Sequence, residues 1–290
     1  MKDFAGFYNS MDDRKSVSWC KYTKRLDAYG CGCQHDCSYC YSKSLLSFRG
    51  LWDAKNPSIA NINKIRDQIR KIEMNDVIKL GGMTDCFQPI EHNMKITYKT
   101  INLLNKCKIH YLIITKSSLV SSPEYLAIYD KSLAHFQVTI TSTNDNMALS
   151  YEKASKTSDR IKSIEILQKN GFDVSVRLSP FIPENIDFSI INSISCDKIL
   201  IEFLKVNHFI KKWFNIDYDN YSLKYGGYQH LQLPGKIILI NKITGFNQIS
   251  VGEYVAEHHK YFSENVNYNP EDCCNLKIKE FQKPIQNKLF

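Results

Sequence analysis

The chain has 290 residues and a mass of 33.7 kDa, enough for one large α/β domain or two small ones. Hydrophobic residues at 43% and charged residues at 23% fit an ordinary globular protein and exclude a disordered or fibrous one. The formal net charge of +8 suits an anionic partner such as a nucleic acid, and a lysine-rich composition with no such partner accounts for it equally.

From residue 25 onward, short Ile-, Val- and Leu-rich runs alternate with amphipathic stretches. Strands are expected at residues 26–29, 77–80, 111–115, 136–141, 174–178 and 198–203, each bounded by polar residues, Gly or Pro. Helices are expected between them at residues 58–72, 94–105, 123–131, 159–169 and 186–195. Asp159 and Asn185 are the candidate N-caps, and Gly171 is the candidate stop. Six β/α units at a spacing of roughly 35 residues predict a parallel sheet curled into a full or partial barrel, with a doubly wound open sheet as the alternative. The expected organisation is an N-terminal extension at 1–24, a core at 25–205 and a C-terminal extension at 206–290. In that extension, aromatic residues from Phe209 to Tyr228 interleave with lysines. Such a stretch either stacks on nucleotides or forms a lid over the barrel.

No apolar run approaches the roughly 20 residues that cross a bilayer. The segment MKDFAGFYNSMDDRKSVSW lacks the apolar stretch of a signal peptide, so a cytoplasmic location is expected, with no membrane partner. In a reducing compartment clustered cysteines read as metal ligands rather than disulfides. Five of the ten cysteines fall between Cys20 and Cys40, and Cys273 and Cys274 form an adjacent pair. Cys107 and Cys196 read as small buried hydrophobes.

The loop after the first strand carries Cys33, Cys37 and Cys40, with Tyr39 just before the last of them. Three thiolates spaced x₃ then x₂ can each hold a different iron of one [4Fe–4S] cubane, leaving the fourth iron open to a small ligand. A zinc site completed by Cys31 or His35 is the competing reading, and it would make the chain a non-catalytic zinc-bearing nucleic-acid-binding module. In a barrel, chemistry belongs at the C-terminal ends of the strands, where the cysteine loop, Gly81, Gly82 and Met83, Ser142 and Arg177 all fall.

The spacing of Cys33, Cys37, Tyr39 and Cys40 resembles the signature of the radical S-adenosylmethionine (radical SAM) superfamily. The resemblance implies a partial (β/α)6 TIM-like barrel with a C-terminal extension, a [4Fe–4S] cluster on the three cysteines, and SAM on the open iron. It also implies reductive cleavage of SAM to a 5′-deoxyadenosyl radical, with the electron coming from a donor such as flavodoxin or ferredoxin. By the same resemblance Tyr39, Gly81, Gly82 and Met83, Ser142 and Arg177 are the cofactor-binding candidates. Met83 departs from the Glu commonest at its position.

Within the superfamily the chain is similar to the spore photoproduct lyase-like group, often labelled "DNA repair photolyase". The likeness rests on residues 29–41, on the run Thr84, Asp85, Cys86, Phe87, Gln88, Pro89, Ile90, Glu91, and on residues 113–117. The lyase uses a cysteine as hydrogen donor after its second strand. Met83 falls at that position here and Cys86 three residues later, so Cys86 is either a displaced donor or a packed thiol beside Phe87. The resemblance leaves the substrate open, a nucleotide or nucleic acid being one candidate. Cys273 and Cys274, with Cys20 or Cys31, either hold an auxiliary iron–sulfur cluster or remain free thiols.

Overall fold

The computed structural model describes residues 6–9 and 20–278, so most of the expected N-terminal extension and the last residues of the C-terminal one lie outside the described residues. Eight strands form the main sheet: β1 Phe7–Asn9, β2 Lys24–Leu26, β3 Val77–Leu80, β4 His110–Thr115, β5 Ala134–Ile140, β6 Asp173–Phe181, β7 Lys198–Phe203 and β8 Gln248–Val251. They lie side by side in chain order. β1 pairs antiparallel with β2, and every other neighbouring pair is parallel. The order starts at β1 and stops at β8 without closing, which makes the sheet a partial TIM-like barrel with a seam.

The period of two along each strand sorts residues between two environments. Ile78, Leu80, Tyr111, Ile113, Phe136, Val138, Val176, Leu178, Ile199 and Ile201 point outward into one core shared with the helices. The helices Ile62–Ile69, Ile96–Lys106 and Thr157–Lys169 cover that face with Ile65, Ile69, Ile101, Leu104, Ile164 and Leu167. Each such fully buried aliphatic side chain contributes about 1.5–3 kcal/mol. The alternate residues point into the barrel. Lys79, Thr139, Arg177 and Glu202 line its lumen, while Val77, Leu112 and Leu200 form a separate small apolar cluster with Tyr22 and Cys274.

Several boundaries differ from the sequence expectation. The first strand ends at Leu26, and the Asp27 N–H still donates to the Gly6 carbonyl across from it. Tyr29–Gly30 then pairs with Ser58–Ile59 instead. That pairing takes residues 58 and 59 from the expected helix, which starts at Ile62 behind the Asn61 cap. Lys156, not Asp159, is the N-cap of Thr157–Lys169. Asn185 lies in a 3-10 turn, and Asp187 caps the helix Phe188–Asn192. Gly171 sits just past its helix at φ +79°, a backbone conformation that Gly adopts at no steric cost. β8 was not expected: the C-terminal part of the chain adds a seventh parallel strand to the barrel.

Candidate active site

A cleft of about 1130 Å³, counted to its open mouth, lies at the C-terminal ends of the strands. Its walls include Cys33, Cys37, Tyr39 and Cys40 from the cysteine loop, Gly81, Gly82 and Met83 from the end of β3, and Lys116, Ser179, Glu202 and Lys205 from later strand ends.

The cysteine loop has no ladder of its own, so its backbone is held by turn bonds within the loop, by backbone bonds to distant segments such as Ser38 N–H to the Tyr151 carbonyl at 2.9 Å, and by side chains. Gln34 is the clearest case: its N–H donates to the Gln88 side chain at 2.8 Å, and its own side-chain oxygen accepts the Ile90 N–H at 2.6 Å. Asp36 takes φ +42° in the turn between the first two cysteines and pairs with Lys43 at 2.7 Å. Cys40 caps the helix Tyr41–Phe48, its Sγ accepting the Lys43 N–H at 3.4 Å.

Asp85 joins the loop to two strand ends. Its carboxylate faces His35 at 3.4 Å and accepts bonds from the Thr115 hydroxyl at 2.8 Å and the Lys116 N–H at 2.7 Å. Burial raises its pKa, but the His35 ring and the backbone N–H groups of Lys116 and Phe87 outweigh burial and bring it to about 2. Glu91, fully buried, accepts from the Tyr29 and Tyr125 hydroxyls and from the Thr97 and Tyr98 N–H groups.

Tyr39 is fixed by a buried ion pair. Its hydroxyl bonds to Glu152, which pairs with Arg160; neither member of the pair reaches solvent. Arg160 also donates to the Ser155 and Thr139 carbonyls at 2.8 and 3.1 Å. The Tyr39 ring packs edge-on against Tyr151 and Phe214, with centroids 5.6 and 5.7 Å away. On the opposite wall, the Asp27 carboxylate accepts the Met83 and Thr84 N–H groups at 3.0 and 3.2 Å and sets the path of the glycine loop. Gly81 is obligatory there: at φ +90°, a Cβ would stand 2.4 Å from the Ile114 carbonyl oxygen.

Three other expected site residues lie elsewhere. Arg177 faces a second cavity deeper in the lumen, where it pairs with Glu202 and donates to the Gln137 side chain at 2.5 Å. Ser142 is fully buried and shapes a turn; its Oγ accepts the Asn144 N–H at 3.0 Å, and it lines neither cavity. Cys86 is buried in the outer core with Phe87, and burial followed by the Asp85 charge pushes its thiol well up. Asp27, Glu152 and Arg160 were missed by sequence reasoning, because nothing local marks a polar residue as the partner of a segment far along the chain, 56 positions away for Asp27 and 113 for Glu152.

The donor set suits an iron–sulfur cubane. Cys33 and Cys37 are buried thiols, and burial raises Cys33 to about 12, so a metal must displace their protons. Among the described residues these three sulfurs do not gather within 4.8 Å of one another, as ligands of a single ion would.

An open parallel barrel with a three-thiol loop over its C-terminal rim defines a class of iron–sulfur enzyme. The radical SAM superfamily model matches residues 29–191, more than half of the chain, and the chain belongs to that superfamily. The family implies a [4Fe–4S] cluster and SAM.

An uncharacterized protein of Methanocaldococcus jannaschii is 27% identical over 160 residues, covering 54% of this chain and 60% of that protein. Spore photoproduct lyase complexed with dinucleoside spore photoproduct superposes with a TM-score of 0.62 at 15% identity, covering 84% of this chain and 80% of that one. Native anSMEcpe with bound AdoMet gives a TM-score of 0.51 at 10% identity, covering 78% and 63%. At these identities the structures are alike in fold. Among the described residues no helix is long and apolar enough to cross a membrane.

Proposed function

We propose that Cys33, Cys37 and Cys40 hold a [4Fe–4S] cluster, that SAM lies between it and the backbone of Gly81, Gly82 and Met83, and that the substrate is a nucleotide or nucleic acid. When bound, cluster and SAM supply a 5′-deoxyadenosyl radical that takes a hydrogen atom from substrate. The observation that carries this reading is the cleft itself. Its lining includes the three thiols and the glycine loop together.

The chain's own residues orient and enclose. Asp27 fixes the peptide planes of the glycine loop, and the Glu152–Arg160 pair fixes Tyr39 beside Cys37. Arg177 is kept as a carboxylate partner for a ligand reaching deeper into the lumen. The aromatic stretch acts as the lid: Phe214 packs on Tyr39, and the Asn207 amide donates to Ser44 Oγ at 3.1 Å, so the lid rests on the helix that follows the cluster loop. A nucleotide substrate is favoured by Lys116 and Lys205 beside Trp52 and Tyr254 on the cleft wall, a basic and aromatic lining. A small one-electron carrier such as flavodoxin or ferredoxin supplies the electron.

Anaerobically reconstituted protein should carry about four irons per chain and release 5′-deoxyadenosine on reduction with SAM. Cys37→Ala should lose both, and retention of either overturns the assignment. Turnover with oligonucleotides in deuterated buffer tests the substrate class. Incorporation into nucleic acid supports it, whereas 5′-deoxyadenosine formation that nucleic acid never stimulates refutes it.

A further inference from the structure

A second sulfur site lies away from the cluster loop. Among the described residues, Cys20, Cys273 and Cys274 form the one group of potential metal ligands whose ligand atoms all lie within 4.8 Å of one another. With Zn–S bonds of about 2.3 Å, two sulfurs on one ion stand no more than about 4.6 Å apart. The trio is therefore spaced for a single thiophilic ion and is too compact to spread over separate irons of a cubane. Cys31, the other cysteine expected to join it, is exposed on the cluster loop and lies outside the group.

The surroundings hold the trio in place. Cys20 lies just before β2, and Cys273 and Cys274 follow the helix Ala256–Asn265 that comes after β8, so the thiols come from opposite ends of the described chain. Asp272 accepts the Tyr22 hydroxyl and the Cys274 N–H at 3.0 Å. Asn275 donates to Ser250 Oγ at 2.8 Å, and its carbonyl accepts from Lys198. The buried ammonium of Lys79 lies 2.6 Å from Cys20 Sγ. All three thiols border the deeper cavity of the lumen, so an ion can reach them from inside the barrel.

Charge selects the ion. Three thiolates around a divalent cation carry one net negative charge, and the Lys79 ammonium cancels it. A monovalent ion would leave a negative charge uncompensated in a largely apolar pocket formed by Tyr22, Val77, Leu112 and Leu200.

We propose that Cys20, Cys273 and Cys274 bind one zinc ion, which ties the segment before β2 to the C-terminal segment and keeps its fourth coordination position open to the lumen. Binding forms three S–Zn bonds, and each thiol still protonated releases its proton to solvent; no electron moves. The site stands independently of the cluster loop.

The test uses the full chain, kept reduced and supplied with Zn²⁺ before cluster reconstitution. Metal analysis should give about one zinc beside four irons per chain. Cys273→Ser with Cys274→Ser should lose the zinc and keep the iron, and Cys33→Ala with Cys37→Ala and Cys40→Ala should do the reverse. Should any variant fail to fold, the wild-type chain still answers: Zn²⁺ should slow alkylation of Cys20, Cys273 and Cys274 at least tenfold, and Co²⁺ in its place should give thiolate-to-metal charge-transfer absorption. Eight irons with no zinc, or alkylation of the three thiols indifferent to Zn²⁺, would overturn the proposal.

Discussion

Arg160→Met is the sharpest test of how the cluster loop is supported. Arg160 and Glu152 form an ion pair from which water is excluded on both sides. Removing the guanidinium leaves a buried carboxylate without its counter-charge and deprives the Ser155 and Thr139 carbonyls of donors. Breaking such a pair costs about 3–5 kcal/mol. For 290 residues the unfolding entropy is about 0.6 kcal/mol per degree, which converts that loss to a fall in Tm of about 5–8 °C. Differential scanning calorimetry on the metal-free chain measures it without interference from the cluster. Glu152→Gln in the Arg160→Met background should recover part of the loss, because the stranded charge is then gone. Iron retention should fall in the single variant, since Glu152 positions both Tyr39 and the Cys37 thiol, 3.8 Å away. A Tm within about 1 °C of wild type, well below the shift expected from losing a buried pair, would refute the reasoning.

Gly81→Ala should abolish SAM binding measured by equilibrium dialysis while the cluster still assembles, because the added Cβ meets backbone and the φ of +90° is strained for any other residue; unchanged affinity would count against the glycine loop as the SAM wall. Cys86→Ala should cost about 1 kcal/mol in urea unfolding and leave 5′-deoxyadenosine formation intact, since Cys86 lines neither cavity; loss of turnover with the fold intact would restore it as a hydrogen donor. Asp173 accepts from His135 at 2.9 Å and Lys198 at 2.5 Å, and although burial raises its pKa these partners hold it well below the ordinary carboxylate range. A depressed folded-state pKa contributes stability that is present above the unfolded value of about 4 and is lost as pH falls toward the folded one. Asp173→Asn should therefore lower Tm at neutral pH and flatten its decline below about pH 4; an acid limb identical to wild type would show that Asp173 is not the titrating group.

Much of the barrel was legible because its strands are β-branched runs of the right length; residues 77–80 and 198–203 are bounded in the structure as the sequence implies. β8 was not, since its four residues, Gln248 to Val251, follow turn-rich sequence and become a strand only by pairing with β7. The break at Asp27 was invisible for a related reason. Propensity favours a strand through Tyr29, but the Asp27 carboxylate is required by the glycine loop 56 positions later. The three loop cysteines come from one short segment, and they share the cleft wall in the fold. The sequence paired Cys273 and Cys274 with either Cys20 or Cys31; the structure brings Cys20 to them and leaves Cys31 exposed on the loop.

The run from Thr84 to Glu91 shows why polar motifs mislead when read for chemistry alone. Its density of Thr, Asp, Gln and Glu suggests groups aimed at a substrate. In the fold, Thr84 donates to the Tyr29 carbonyl, Gln88 and Glu91 are fully buried, and Asp85 takes most of its bonds from the ends of β4 and the residues just past it. These side chains replace the hydrogen bonds that a regular element would have supplied. A loop that must present three thiols to one cluster cannot be helix or strand, so its buried N–H groups and those of its neighbours need acceptors from elsewhere. Charged and amide side chains serve because each accepts two or more bonds at once, as Glu91 does from four donors. The polarity around the cysteines is thus largely the cost of holding an irregular loop rigid. Beyond this scaffold the cleft wall is lined by Lys116, Lys205, Trp52 and Tyr254, among others.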